Sequence, residues 1–511
     1  MNNDQCVLLD NATAVPLTDI PVIDYGTLRS FILGRVAGGA HVASMFAVPG
    51  KDGAFTLYAV LVLSQRGKIA VAAATLDNPF YSLVGECPAV HAFEREMAEQ
   101  WHLVPLGHPW LKPLRFQKPF PGAVDKDPGF NAAGQLPSVM DFYRTEGEEV
   151  HEVAVGPVHA GVIEPGHFRF QCTGERVGHL EISLGYQHRG LETRLWGGPD
   201  AATPHIMETL AGDTTCGHSL AYTMNIEALA GISSSTQAHR VRAVALELER
   251  LANHTGDLGA LAGDVGFLPT SSFCGRLRGD FLNLTAKLCG NRFGRGLARP
   301  GGIGVPVDAA LAKALLDGIQ KTMKDVRGAV RLLFESPSAT ARFEDVGTLS
   351  PDTARMLGLV GPAARASGLL RDIRLELPVG VYSRDLFELP AETDGDVLAR
   401  AAIRHKEMEI SATLLESWLT DDCDVGASDG QFYGAPSLRP DSLSVSFVEG
   451  WRGEICHTAI TDAKGRFAMY KVVDPSFHNW QGLALAMRDQ QISDFPICNK
   501  SFNLSYCGHD L

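Results

Sequence analysis

Hydrophobic positions recur along this 511-residue chain with two different periods, and the switches between them mark its elements. Near the start, Leu28, Phe31, Ile32 and Val36 fall at helical spacing and predict a short helix. Residues 42–48, 55–64 and 69–75 are dense in apolar and β-branched residues and predict three strands of one sheet. Phe93, Met97 and Trp101 form a stripe at i, i+4 and i+8, which predicts a helix packed on that sheet. Glu94, Arg95 and Glu99 are expected on its solvated side, with Gly107 and Pro109 ending it and no catalytic cluster in it. From residue 117 to 138 the composition shifts to Pro, Gly, Asp and Ala, which reads as a linker, and residues 140–144 predict a short helix.

A second pattern begins near Val150. Phe168 and Phe170 alternate with His167, Arg169 and Gln171, and the turn Thr173, Gly174, Glu175 returns the chain through Leu180, Ile182 and Leu184. That hairpin puts His188, Arg189 and Glu192 where a strand gives way to a helix, a common place for functional groups. Residues 212–229 read as helix, and Ser233, Ser234, Ser235 and Thr236 offer N-caps for another. In it Val241, Val244, Leu248 and Leu251 share a face, with Arg240, Glu247 and Arg250 elsewhere. Residues 281–288 and 309–333 continue the helical period. Val445, Phe447, Ile455, Ala459, Phe467, Met469 and Lys471 predict a terminal antiparallel strand pair turning at residues 462–465. The expected fold class is α+β: a small α/β module over 1–117, a linker over 118–149, and a mainly α-helical module with peripheral β-strands over 150–511.

Composition narrows the function classes. Hydrophobic residues make up 45% and charged residues 20% of the chain, the balance of an ordinary globular protein. No apolar run reaches the ~20 residues that span a bilayer, and the first ten residues do not read as a secretory signal. A net charge of -14 argues against a nucleic-acid partner. The ten cysteines are scattered with no Cys-x-x-Cys pair, so no zinc ribbon or cluster-binding loop is predicted, and most read as buried thiols.

Two candidate constellations remain. The segment GNRFGRGLARPGGIG, residues 290–304, has Arg299 where a dinucleotide fingerprint needs its third glycine. It reads as a tight loop with three arginines, suited to an anionic partner. His159, His167, His188, His218 and His254, taken singly, read as hydrogen-bonded core or surface residues. Taken with Glu164, Glu192 and Asp213, they could line one polar cavity that moves protons.

The blocks GPVHAGVIEPGHFRF, LGYQHRGLE, CGHSLAY, HRVRAVALELERLANH and GNRFGRGLARPGG carry a specific resemblance. Together they resemble the large subunit of membrane-bound nickel–iron hydrogenases of the hydrogenase-4 and formate hydrogenlyase type. They are equally similar to the D-type, quinone-site subunit of respiratory complex I, the NADH-quinone oxidoreductase. FEREMAEQWHLVPLGHPWLKP resembles the C-type subunit of complex I, fused N-terminally. The resemblance implies an oxidoreductase subunit, peripheral on the cytoplasmic face of the inner membrane. Its implied partners are a B-type iron–sulfur small subunit and membrane subunits of the H and antiporter kinds.

The resemblance also implies where metal ligands belong, and there the chain departs from the family. The two Cys-x-x-Cys pairs that hold nickel and iron fall on Ala211 and Thr214, and on Ser505 and Gly508. Cys216 and Cys507 lie near but form no pair, and hydroxyl or methyl groups cannot replace thiolates, so no nickel–iron centre is expected. The quinone-contacting tyrosine falls on Gly212 and its paired histidine near Pro165. What matches is Glu164, His167, His188, Arg189 and Glu192, with Asp213 and His218 adjacent. The expectation is an enclosed polar cavity near Thr214 and Ser505 in which Glu164, His167 and His188 exchange protons. Arg189 and Arg299 would stabilise negative charge, Asp213 and His218 would tune the loop, and a quinone or another small molecule would be the acceptor. The alternatives are a catalytically silent scaffold between the iron–sulfur and membrane subunits, and a hydrogenase with unusual ligands.

Overall fold

The computed structural model describes residues 5–50, 53–125, 136–420 and 436–511. Cys423 and residues 126–135 of the expected linker lie outside the described residues.

The three predicted N-terminal strands form, at His41–Pro49, Phe55–Leu63 and Lys68–Leu76, and pair antiparallel in that order. Val7–Leu9 pairs antiparallel and Val22–Asp24 parallel with the outer edge of Lys68–Leu76, making a five-stranded sheet. The first predicted helix spans Tyr25–Ala37, and Asp24 caps it by accepting a hydrogen bond from the Thr27 amide at 3.0 Å.

The second helix, His91–Trp101, places Phe93, Met97 and Trp101 in the core as its stripe requires. The solvated side expected of it does not exist: Glu94, Arg95, Glu96, Glu99 and Gln100 are all buried. One face lies on the N-terminal sheet and the opposite face meets the second module, so Glu96 is paired with Arg115 and Lys471 while Glu94, Arg95 and Glu99 take hydrogen bonds inside the protein. The helix stops at Trp101 itself, with His102 in the left-handed conformation, before Gly107 and Pro109 are reached. Residues 140–144 form no helix, contrary to expectation; the Tyr143 amide instead donates to the Glu181 carboxylate at 2.7 Å, an alternative partner that a helix would forgo.

In the second module the central hairpin forms as expected, His167–Thr173 against Arg176–Ser183, with Gly174 at φ +57° in its turn. Val150–Val155 adds a third strand. Five longer helices follow, Thr215–Ala230, Thr236–Asp264, Leu268–Cys289, Ala309–Phe334 and Val397–Thr420, and most of their apolar residues join one core. Helix Thr236–Asp264 begins where the serine run predicts, Ser235 accepting from the Ala238 amide. It is buried nearly all round, including Arg242, Glu247, Glu249, Arg250 and His254, each with a hydrogen-bond partner. The terminal strand pair proves to be three strands, Ser442–Gly450, Gly453–Thr461 and Phe467–Val473, turning at the predicted residues. Its free edge is completed by Thr13–Pro16 from the beginning of the chain. The N-terminal core is accordingly continuous with Leu443, Phe447, Met469 and Phe477.

Candidate functional site

The loop before helix Thr215–Ala230 and the segment Ser505–Gly508 come together although they are far apart in sequence. Arg189, at the end of the hairpin, joins them: its guanidinium donates to the Thr209 and Leu210 carbonyls at 2.8 Å and to the Cys507 carbonyl at 3.4 Å. Arg452 makes a second tie. It binds both carboxylate oxygens of Asp213 at 2.6 and 2.8 Å, Thr214 Oγ1 at 3.2 Å and the Asn503 carbonyl at 2.5 Å. Burial pushes the Asp213 carboxyl up, but the charge and hydrogen bonds of Arg452 outweigh that and hold it below its ordinary value.

Glu164 lies against the same junction, hydrogen-bonded by the Gln187 side chain and the Tyr506 backbone. Its carboxyl is held above the usual range, first by burial, with Arg452 opposing and Asp213 adding to the rise. Cys507 is the thiol beside it, its Sγ 3.4 Å from Ser505 Oγ. Cys216 points elsewhere, toward the Phe293 carbonyl and against Gly294 of the glycine-rich loop. A Cβ on Gly508 would fall 2.6 Å from Asp474 Cγ and 2.9 Å from Ser505 Oγ, so the space in which a side chain would stand is taken by the Asp474 carboxylate.

Asp474 opens a buried line of groups. It accepts from His218 Nε2 at 3.0 Å, His218 Nδ1 is 3.0 Å from His457 Nε2, and His457 Nδ1 is 3.0 Å from the Tyr470 hydroxyl. Burial holds His457 well below its ordinary value, so it is neutral. Asp474 is held low: burial opposes this, and His218 and Arg452 overcome it. When both rings are neutral, every proton in the line is directed toward Asp474; protonating His457 reverses the link to Tyr470, and protonating His218 reverses the two links beyond it.

The remaining predicted residues separate. His188 Nδ1 is 2.7 Å from the Asp510 carbonyl and belongs to a clamp in which the Gly185 and Gln187 amides hold the Asp510 carboxylate. Glu192 faces Lys471 at 2.9 Å and Gln100 at 3.0 Å, across the seam between the modules. His167 lies 3.1 Å from Arg169 Nε with Phe142 against its ring. Arg299 sits in the tight arginine loop, its carbonyl bound by Arg242. The junction therefore unites Glu164, Arg189 and Asp213, with His218 joined through Asp474, while His167, His188, Glu192 and Arg299 make contacts of their own.

Sequence reasoning missed Arg452, Asp474, His457 and Glu249. For Glu249 a signal existed, a carboxylate inside a helix whose every face is apolar or paired. It caps helix Thr215–Ala230, accepting from the Cys216 and Gly217 amides at 2.7 and 3.3 Å. Burial raises its carboxyl from the ordinary 4.5 to about 8. A raised carboxyl contributes stability that is complete below about pH 4.5 and is lost as the pH climbs through about 8. Relative to Glu249→Gln, the wild-type protein should therefore weaken by ~2 kcal/mol or more between pH 5 and pH 9, at about 1.4 kcal/mol for each pH step between the two values. Denaturant unfolding of both proteins across that range checks this, and a constant difference between them would refute it.

The chain is similar to several known proteins. Residues 264–427 match the family described as the respiratory-chain NADH dehydrogenase 49 kDa subunit. The chain is 27% identical over 475 residues to formate hydrogenlyase subunit 5 of Escherichia coli, covering 89% of this chain and 82% of that protein. It is 26% identical to hydrogenase-4 component G of the same organism, over 89% and 80% of the two chains. It is 29% identical to a D-type subunit of the NADH-quinone oxidoreductase of Herpetosiphon aurantiacus, over 69% and 96%. Among solved structures, a chain of the membrane-bound sulfane sulfur reductase, an archaeal respiratory membrane complex, superposes with a TM-score of 0.65 at 22% identity. That match covers 72% of this chain and all of the other, and confirms the mixed helix and strand fold.

Proposed function

We propose, from the premise that this chain is related to the large subunits of hydrogenase-4 and formate hydrogenlyase and to the D-type subunit of complex I, that it is an oxidoreductase subunit working without a nickel–iron centre. The complex would be membrane-bound and ion-translocating, with an iron–sulfur subunit supplying electrons and membrane subunits receiving the coupled charge change. No helix among the described residues is long and apolar enough to cross a membrane, so attachment at the cytoplasmic face would come from those partners.

One observation carries the reading. None of Ala211, Thr214, Ser505 and Gly508 offers sulfur, and the Asp474 carboxylate fills the space beside Gly508. A soft metal held by thiolates does not fit a site of hydroxyl, carboxylate and guanidinium groups. What those groups suit is proton and charge management. Glu164, held above its ordinary value, is the group to give a proton to a small acceptor such as a quinone when it is reduced. Arg189 fixes the two loops, and the Asp213–Arg452 pair sets the local charge. The line Asp474, His218, His457, Tyr470 offers a route for protons into the protein.

A second reading, the silent scaffold, is favoured by the fact that Asp213 and Arg452 satisfy each other in both hydrogen bonds. Glu164→Gln in the intact complex separates the two. Loss of a proton donor should lower acceptor reduction by ~10²-fold or more while assembly is unchanged; full activity would favour the scaffold. Stoichiometric nickel bound to this chain in the purified complex would overturn both.

A further inference from the structure

Away from that junction, three buried side chains from distant parts of the sequence point polar atoms at one spot. His41 opens the strand His41–Pro49, Glu454 lies in the strand Gly453–Thr461, and His478 lies in the first turns of helix Pro475–Ala486. They are 6%, 2% and 4% exposed. One ligand atom from each lies within 4.8 Å of the others, and His41 Nε2 is 3.2 Å from Glu454 Oε1. Among the described residues, none of His41 Nε2, Glu454 Oε1 and His478 Nε2 has a hydrogen-bond partner, so even the close pair is misaligned for a hydrogen bond. Orphaned buried polar atoms are uncommon, and three around one point are satisfied together by a single cation.

We infer that His41, Glu454 and His478 hold one divalent transition-metal ion of the zinc class, as a clip between the N-terminal sheet and the second module. Two imidazole nitrogens and a carboxylate oxygen are a donor set for such an ion, with the fourth position left to water. Tetrahedral coordination at ~2.0–2.2 Å places donors roughly 3.3–3.5 Å apart, so the His41–Glu454 separation is already right and His478 needs only a small closure.

The surroundings agree. Arg371 binds the other oxygen of Glu454 at 3.2 Å, which fixes the carboxylate and leaves Oε1 free. Glu376, 3.4 Å from the same guanidinium, offsets its charge, so the Glu454 carboxylate is not fully neutralised. A hydrogen bond to the Ala43 backbone holds His478. Burial keeps both imidazoles neutral, lowering His478 to about 3 and His41 well below its ordinary value, which leaves ring lone pairs available for a metal. None of the three residues is at a position where a nickel ligand would fall.

The test uses the purified complex and the metals themselves. Elemental analysis should find one zinc-class ion per chain beyond the iron of any partner. Protein stripped with a chelator should take up Co²⁺ with the visible absorption of a four-coordinate ion. His41→Gln and Glu454→Gln should each weaken that uptake at least tenfold without altering nickel content. A wild-type protein that carries no such ion and binds no Co²⁺ would overturn the inference even if a variant failed to fold, as would variants that bind it unchanged. Nickel found at the other junction would sink the proposed function and leave this result untouched.

Discussion

Replacing Lys471 with methionine should destabilise the protein by about 3–5 kcal/mol, the cost of stranding a charge in the interior. Lys471 is 1% exposed at its side chain and contacts Glu96 at 2.6 Å and Glu192 at 2.9 Å. Arg115 also binds Glu96, and through its Nε the His509 carbonyl at 2.7 Å. Two carboxylates and two cations thus balance across the seam between helix His91–Trp101 and the terminal sheet. Removing Lys471 leaves the buried Glu192 carboxylate with Gln100 and the Val472 amide but without its cation. Glu192→Gln added to Lys471→Met should recover much of the loss, because the pair then leaves together. Urea unfolding of the single and double variants measures the coupling; additive losses would show that the pair does not interact as drawn.

Arg452→Met should cost on the order of 3 kcal/mol and also alter chemistry at the junction. The guanidinium lies 3.9 Å over the Trp451 ring while it holds Asp213 and Asn503, so one change removes a tie to both segments and leaves Arg189 as the other. Arg452 lowers both Asp213 and Glu164; without it the Asp213 carboxyl should lose its depression and the Glu164 carboxyl should rise further. If Glu164 acts as a proton donor, its acid form then persists to higher pH, and the alkaline limb of acceptor reduction should move upward. A pH profile of the variant complex that keeps its alkaline limb in place would argue against that role, whatever the loss of stability.

Elements governed by local pattern were legible in the sequence. The three N-terminal strands, the hairpin at Gly174 and the helix after Ser235 follow from alternation, a turn residue and a cap within a few positions of each other. Helix His91–Trp101 was legible as a helix but not in its environment. A stripe of Phe93, Met97 and Trp101 shows one buried face, and nothing local reveals that Glu96 meets Lys471, contributed hundreds of residues later. The junction was legible in part for the same reason. Glu164, Arg189 and Asp213 stand in recognisable blocks, whereas Arg452 and Asp474 reach it from the terminal sheet and the turn that follows it. His188 and Glu192 have chemistry-bearing side chains at a strand-to-helix transition, yet the fold spends them on the Asp510 clamp and the Lys471 pair.

The strand Thr13–Pro16 has a consequence for synthesis. Its partners are residues 442–445, and Asn11 beside it bonds the Phe447 carbonyl, 436 residues away. As the chain leaves the ribosome, residues 11–16 wait for partners made some 436 residues later before that sheet has its edge, and loop closure over such a span is slow. Until then the exposed rim of Ser442–Gly450 is open to strands from other chains, so the opening residues serve as a tethered guard against aggregation.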